Sequence, residues 1–127
     1  MANFELLIVD DDPSFLFLHE VLAKKSGFHN SPQKFEDGGE VVDFLEKKEN
    51  NNYLLFLDIY MKNMDGWGVL NFIEKQNKPD KIKVILISSS INSEDKNRAL
   101  DYSSVIEYIE KPLLLEYLEI LKEQILF

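Results

Sequence analysis

Short apolar runs that stop at acidic or hydroxyl side chains constrain this chain more than any other feature. Leu6-Leu7-Ile8-Val9 ends abruptly in Asp10-Asp11-Asp12, and Tyr53-Leu54-Leu55-Phe56-Leu57 ends at Asp58. Residues 82–87 end in Ser88-Ser89-Ser90. Such runs, interrupted only by Lys83 in the third, are the pattern of strands covered on both faces, the usual state of strands in a parallel sheet.

Between these runs the apolar period becomes helical. Asp12 and Pro13 suit an N-cap and a first helical position, Phe15, Leu18 and Leu22 follow at helical spacing, and Gly27 stands where a helix should stop. Residues 31–35 form a weaker strand candidate. Val41, Val42, Phe44 and Leu45 mark a second helix running into the polar stretch 46–52. A helix over 66–76 carries Val69, Leu70, Phe72 and Ile73, with Asp65-Gly66 as the turn before it. A polar helix is predicted over 93–101 and a fifth strand over 105–109. Lys111-Pro112 leads into a last helix with Leu115, Leu118, Ile120, Leu121 and Ile125. Five strands alternating with five helices imply an α/β domain with a parallel sheet covered on both faces. Residues 1–127 read as one domain without linker or low-complexity tract, and no attached output domain is expected.

The chain has no Cys, so thiolate chemistry and Cys-ligated metal are excluded. No apolar run approaches the ~20 residues of a membrane span, and the first residues lack the pattern of a signal peptide. A cytoplasmic location and no membrane partner are expected. The formal net charge of −9 argues against nucleic acid as a partner.

Ligands of open parallel sheets bind at the carboxyl ends of the strands. Here those ends bring Asp10, Asp11, Asp58, Ser88 and Lys111 to one edge. Three crowded carboxylates favour a divalent cation, and Mg2+ fits as a hard ion that keeps waters and accepts a phosphate oxygen. Lys111 offers a positive charge and Ser88 a hydroxyl donor. The set suits phosphoryl transfer to a carboxylate. Asp12 reads as a cap, while Ser89 reads as loop. Met61, Met64 and Trp67 read as loop packing, and His19 and His29 fit no ligand or triad spacing.

Four segments in order resemble the receiver domain of two-component response regulators: Ile8-Val9-Asp10-Asp11, Leu57-Asp58-Ile59-Tyr60-Met61-Lys62-Asn63-Met64-Asp65-Gly66, Val84-Ile85-Leu86-Ile87-Ser88 and Tyr108-Ile109-Glu110-Lys111-Pro112. The resemblance implies a flavodoxin-like sheet of order 2-1-3-4-5. It implies that Asp58 is the phosphoacceptor, that Asp10 and Asp11 hold Mg2+ with Asp58 and the backbone carbonyl of Tyr60, and that Ser88 and Lys111 meet the phosphoryl group. The bond before Pro112 is expected to be cis. Tyr108 takes the place of an aromatic that swings inward on activation. The expected function is a single-domain phosphoacceptor rather than a conventional enzyme. It is served by a sensor histidine kinase or histidine phosphotransfer protein and addresses a downstream protein through the fourth helix, fifth strand and fifth helix.

Two departures stand out. Lys62 replaces a Pro usual in the family, leaving that loop freer. Tyr60 and Ser90 would flank the path of an attacking water, and neither offers an amide or carboxylate, so slow self-dephosphorylation is expected. A pseudo-receiver that binds partners without phosphorylation is the alternative, disfavoured by the complete acidic set, Ser88 and Lys111. A haloacid dehalogenase-like phosphatase would need Asp where Tyr60 stands, and no Gly-rich phosphate loop is present.

Overall fold

The computed structural model describes residues 3–47, 51–76, 81–89 and 92–127. The alternating pattern forms β1 (Glu5–Val9), α1 (Pro13–Lys25), β2 (Gln33–Phe35), α2 (Gly38–Lys47) and β3 (Tyr53–Asp58). It continues as α3 (Gly66–Lys75), β4 (Ile82–Ser88), α4 (Ser93–Ala99), β5 (Val105–Glu110) and α5 (Leu115–Leu121). The strands make one sheet of order β2-β1-β3-β4-β5, with every neighbouring pair parallel. The predicted fold class is therefore the observed one. Part of the polar stretch 46–52 lies outside the described residues, as does Ser90. Among the described residues no helix is long and apolar enough to cross a membrane.

Alternation along the strands divides the core in two, because successive side chains leave a strand on opposite faces. Leu6, Ile8, Leu54, Phe56, Ile85 and Ile87 pack with Leu16 and Ala23 of α1 and Leu118 and Leu121 of α5. Leu7, Val9, Leu55, Leu57, Val84 and Leu86 pack with Val41 and Leu45 of α2, Val69, Leu70 and Ile73 of α3, and Ala99 of α4. All six residues of β3 are buried. That explains why this run carries no polar residue until Asp58.

Three expectations need correction. The buried face of α1 consists of Leu16, His19 and Ala23, while Leu18 is exposed along with Phe17 and Val21. The helix is apolar on more than one side, so spacing alone did not identify the inner face. The last helix stops at Leu121, and the exposed Ile120 and Ile125 are not the core positions expected of them. Leu118 and Leu121 fill that part of the core as expected, joined by Leu113 from the turn before the helix. Trp67 belongs to α3 and is buried in the core rather than lying in a loop.

Gly66 holds the loop after β3 close to the strand. Its N–H donates to the Ile59 carbonyl at 2.7 Å, and an added Cβ would lie 2.7 Å from the Asp58 carbonyl oxygen and 2.8 Å from the Ile59 Cα. Backbone cannot yield as a side chain can. Gly66→Ala should therefore destabilise the fold by about 1–3 kcal/mol. Gly68→Ala should cost less, because its new Cβ would meet the flexible Met64 side chain at 2.7 Å. Urea midpoints of the two variants give the comparison, and equal losses would contradict it.

Candidate functional site

Backbone hydrogen bonds bring the strand ends together. The Asp10 N–H donates to the Phe35 carbonyl at 3.0 Å, Ile59 to Ile87 at 3.3 Å, and Lys111 to Ser88 at 2.8 Å. Asp10 thus emerges just beyond β1, Asp58 ends β3, Ser88 ends β4 and Lys111 follows β5. Asp12 starts α1 by accepting from the Ser14 N–H at 2.9 Å, the capping role expected of it. Asp65 caps α3 by accepting from the Gly68 N–H at 3.0 Å.

Asp10, Asp11 and Asp58 each place a carboxylate oxygen within 4.8 Å of the others. Asp10 and Asp58 are buried and Asp11 is half-buried. The ammonium of Lys111 reaches Asp10 Oδ2 at 2.8 Å and Asp58 Oδ1 at 3.3 Å. The remaining Asp10 oxygen, Oδ1, accepts from the Asp12 N–H at 2.9 Å. One ammonium against three carboxylates leaves an excess of negative charge on hard oxygen atoms, and these donors fit Mg2+.

Burial, more than the excess of charge, governs the protonation of the site. Burial, then the charge of Asp10, pushes Asp58 up to about 6, although Lys111 opposes the shift. Burial also raises Asp10 against its hydrogen bond to Lys111. For Lys111, burial would lower the pKa, but the hydrogen bond and charge of Asp10, followed by those of Asp58, leave it raised. The ammonium therefore stays charged.

The structure brings together the side chains of Asp10, Asp11, Asp58 and Lys111. Ser88 is fully buried at the adjoining strand end. The bond between Lys111 and Pro112 is cis. Tyr108 already turns its hydroxyl into the protein. Burial raises the pKa of that phenol, while the Ser88 side chain acts in the opposite direction. Lys62 and Ser89 are exposed.

Tyr60 reveals a partner that sequence reasoning missed. Its hydroxyl donates to Asp95 Oδ2, which also accepts from Asn92 Nδ2 at 3.2 Å. The hydrogen bond to Asp95, followed by burial, pushes the Tyr60 phenol up to about 12. Asp95 is buried although it lies in the polar α4. In sequence it reads as an ordinary acidic residue in the first turn, with no local sign of a tyrosine 35 positions away.

A carboxyl held above its ordinary value binds its proton more readily in the folded than in the unfolded state. Asp58 therefore opposes folding most above pH ~6, and the penalty fades as pH falls through its unfolded value of 3.8. In metal-free buffer, Asp58→Asn should be more stable than wild type by about 1–3 kcal/mol at pH 8. The difference should close near pH 4. Urea unfolding across this pH range measures it, and a constant difference would exclude a titrating Asp58 as its source.

The family model described as "Response regulator receiver domain" matches residues 6–121. Over 100 residues the chain is 32% identical to a gliding motility regulatory protein of Myxococcus xanthus, covering 78% of this chain and 12% of that protein. Over 117 residues it is 30% identical to the sensor histidine kinase CheAY of Helicobacter pylori, covering 92% of this chain and 14% of the relative. The chain thus spans a small part of each of these relatives. The crystal structure of a response regulator receiver protein from Dyadobacter fermentans superposes with a TM-score of 0.81 at 25% identity, covering 93% of this chain and 94% of that one. With its parallel sheet and its acidic cluster at the strand ends, the chain belongs to the response regulator receiver domain family of two-component systems.

Proposed function

We propose that Asp58 accepts a phosphoryl group from a phosphohistidine and that the resulting charge redirects Ser88, Tyr108 and α4. The observation that carries this reading is the contact of Lys111 with both Asp10 and Asp58 inside a cluster of three carboxylates. An oxygen of Asp58 would form the new bond to phosphorus as the histidine N–P bond breaks, and the histidine nitrogen leaves with the electron pair. Lys111 would neutralise charge on the transferred group, and Ser88 would donate a hydrogen bond to it. Asp10 and Asp11, with Asp58 and the Tyr60 carbonyl, would hold Mg2+. Bound there, the ion supplies charge neutralisation for the phosphoryl oxygens.

Receiver domains interact with histidine kinases or phosphotransfer proteins, and such a protein would be the donor here. The signal follows from the position of Ser88. Drawing its hydroxyl toward the phosphoryl group alters the surroundings of the Tyr108 phenol. The surface of α4, β5 and α5 would then repack, exposing a changed face to a downstream protein. The exposed side chains of Leu100, Ile106 and Ile120 lie in this region.

Incubation with acetyl phosphate and Mg2+ should add one phosphoryl mass to wild type and none to Asp58→Asn. Intact-mass measurement reads the result, and equal labelling of both proteins would refute the assignment. Mg2+ alone should raise the melting temperature of wild type through binding to the folded state, and Asp11→Ala should abolish most of that rise.

The lifetime of the phosphoryl group should be long. Tyr60 offers a ring whose hydroxyl is occupied by Asp95, and no amide or carboxylate to orient a water. Loss of phosphoryl mass after donor removal should take many minutes in wild type and be faster in Tyr60→Asn. Decay within seconds, or equal rates, would overturn this account.

A further inference from the structure

We propose that His19, together with Phe15, is a positioning residue that holds Lys111 in line with the acidic cluster. The inference deepens the phosphoryl-transfer reading and rests on it for its kinetic consequence. Lys111 lies just beyond β5, where the chain leaves the sheet, so its ammonium is only as well placed as the turn that carries it. On the near side, the Lys111 N–H is fixed to the Ser88 carbonyl at 2.8 Å. Pro112 has no N–H to contribute. On the far side, the Leu113 N–H donates to His19 Nε2 at 3.3 Å, across 94 positions of sequence.

His19 sits among apolar residues on the buried face of α1 and is 1% exposed. A buried imidazole is costly unless its polar atoms are used. An amide N–H can only donate, so Nε2 must be the acceptor and the ring proton belongs on Nδ1. Burial, followed by the nearby charge of Lys111, lowers the pKa of His19 to about 4, which keeps this acceptor available at neutral pH.

One turn earlier on the same helix, the Phe15 ring lies 4.3 Å from Lys111 Nζ and 5.8 Å from the His19 ring. The ammonium is therefore held by two carboxylates and an aromatic face, while His19 secures the backbone behind it. A general acid or base role for His19 is not part of this proposal, because its contact is with the turn.

The test compares His19→Leu, which fills the space without an acceptor, with His19→Gln, whose side-chain oxygen restores one. Ala23→Gly, on the same buried face of α1, serves as the control for a weakened helix. Two readouts are needed. The first is the rate of Lys111 acylation by a small water-soluble reagent, measured by peptide mass relative to the exposed Lys62. This rate should rise about fivefold or more in His19→Leu, and stay near wild type in His19→Gln and Ala23→Gly. The second is phosphorylation by acetyl phosphate, which should slow about tenfold in His19→Leu. That loss should vanish when Lys111→Ala is already present.

Unchanged Lys111 reactivity in a folded His19→Leu protein would overturn the proposal. So would equal effects of Leu and Gln, or a kinetic loss that persists without Lys111. If wild type takes no phosphoryl group, the reading of Asp58 fails, and Lys111 reactivity still decides the role of His19.

Discussion

The contact of Lys111 with Asp10 and Asp58 is the interaction around which this end of the molecule is organised. Three carboxylates at the edge of an apolar sheet repel one another and lose solvation, and a single ammonium offsets only part of both costs. The sheet tolerates this because its strands are bonded to one another up to the last residue. Asp10 is tied to Phe35, Ile59 to Ile87, and Lys111 to Ser88. The stability stored in the apolar core thus maintains an electrostatically unfavourable edge. On the proposed reading, a cation or phosphoryl group would change the balance of charge at that edge without needing to build the site.

The α3 and α4 side of the domain is connected to the same edge by polar and aromatic contacts. Tyr60 bonds to Asp95, Arg98 lies 4.3 Å over the Trp67 ring, and Trp67 stacks on Tyr102 at 5.9 Å. Tyr102 in turn donates to Asn71, and Glu74 accepts from the backbone and side chains of Ser104 and Ser103, respectively. These contacts begin two residues after Asp58, pass the buried Trp67 and continue along α3 to the start of β5. They give the short, polar α4 defined partners in place of a broad apolar face.

The opposite side is organised differently. There α1 and α5 cover the sheet with an apolar layer that also holds His19 and Phe15. His19 and Phe15 look like ordinary members of an apolar helix in sequence, yet they lie against Lys111 and the turn that follows it. The exposed Phe17, Leu18 and Val21 occupy the outward part of the same helix.

The sequence by itself determined the number and order of elements, the parallel sheet, and the identity of the charged groups at its edge. Runs such as Leu54 to Leu57 must be buried on both faces, and an acidic residue directly after such a run can only stand at the strand end. These are local consequences of chain geometry and solvation. The tertiary structure alone decided which face of α1 is inside, where α5 stops, and that Tyr60 bonds to Asp95 and His19 to Leu113. The physical reason is that each of these outcomes depends on a partner far away in sequence. A buried polar atom leaves no periodic signal, since what makes it acceptable is a single donor or acceptor supplied by another part of the fold.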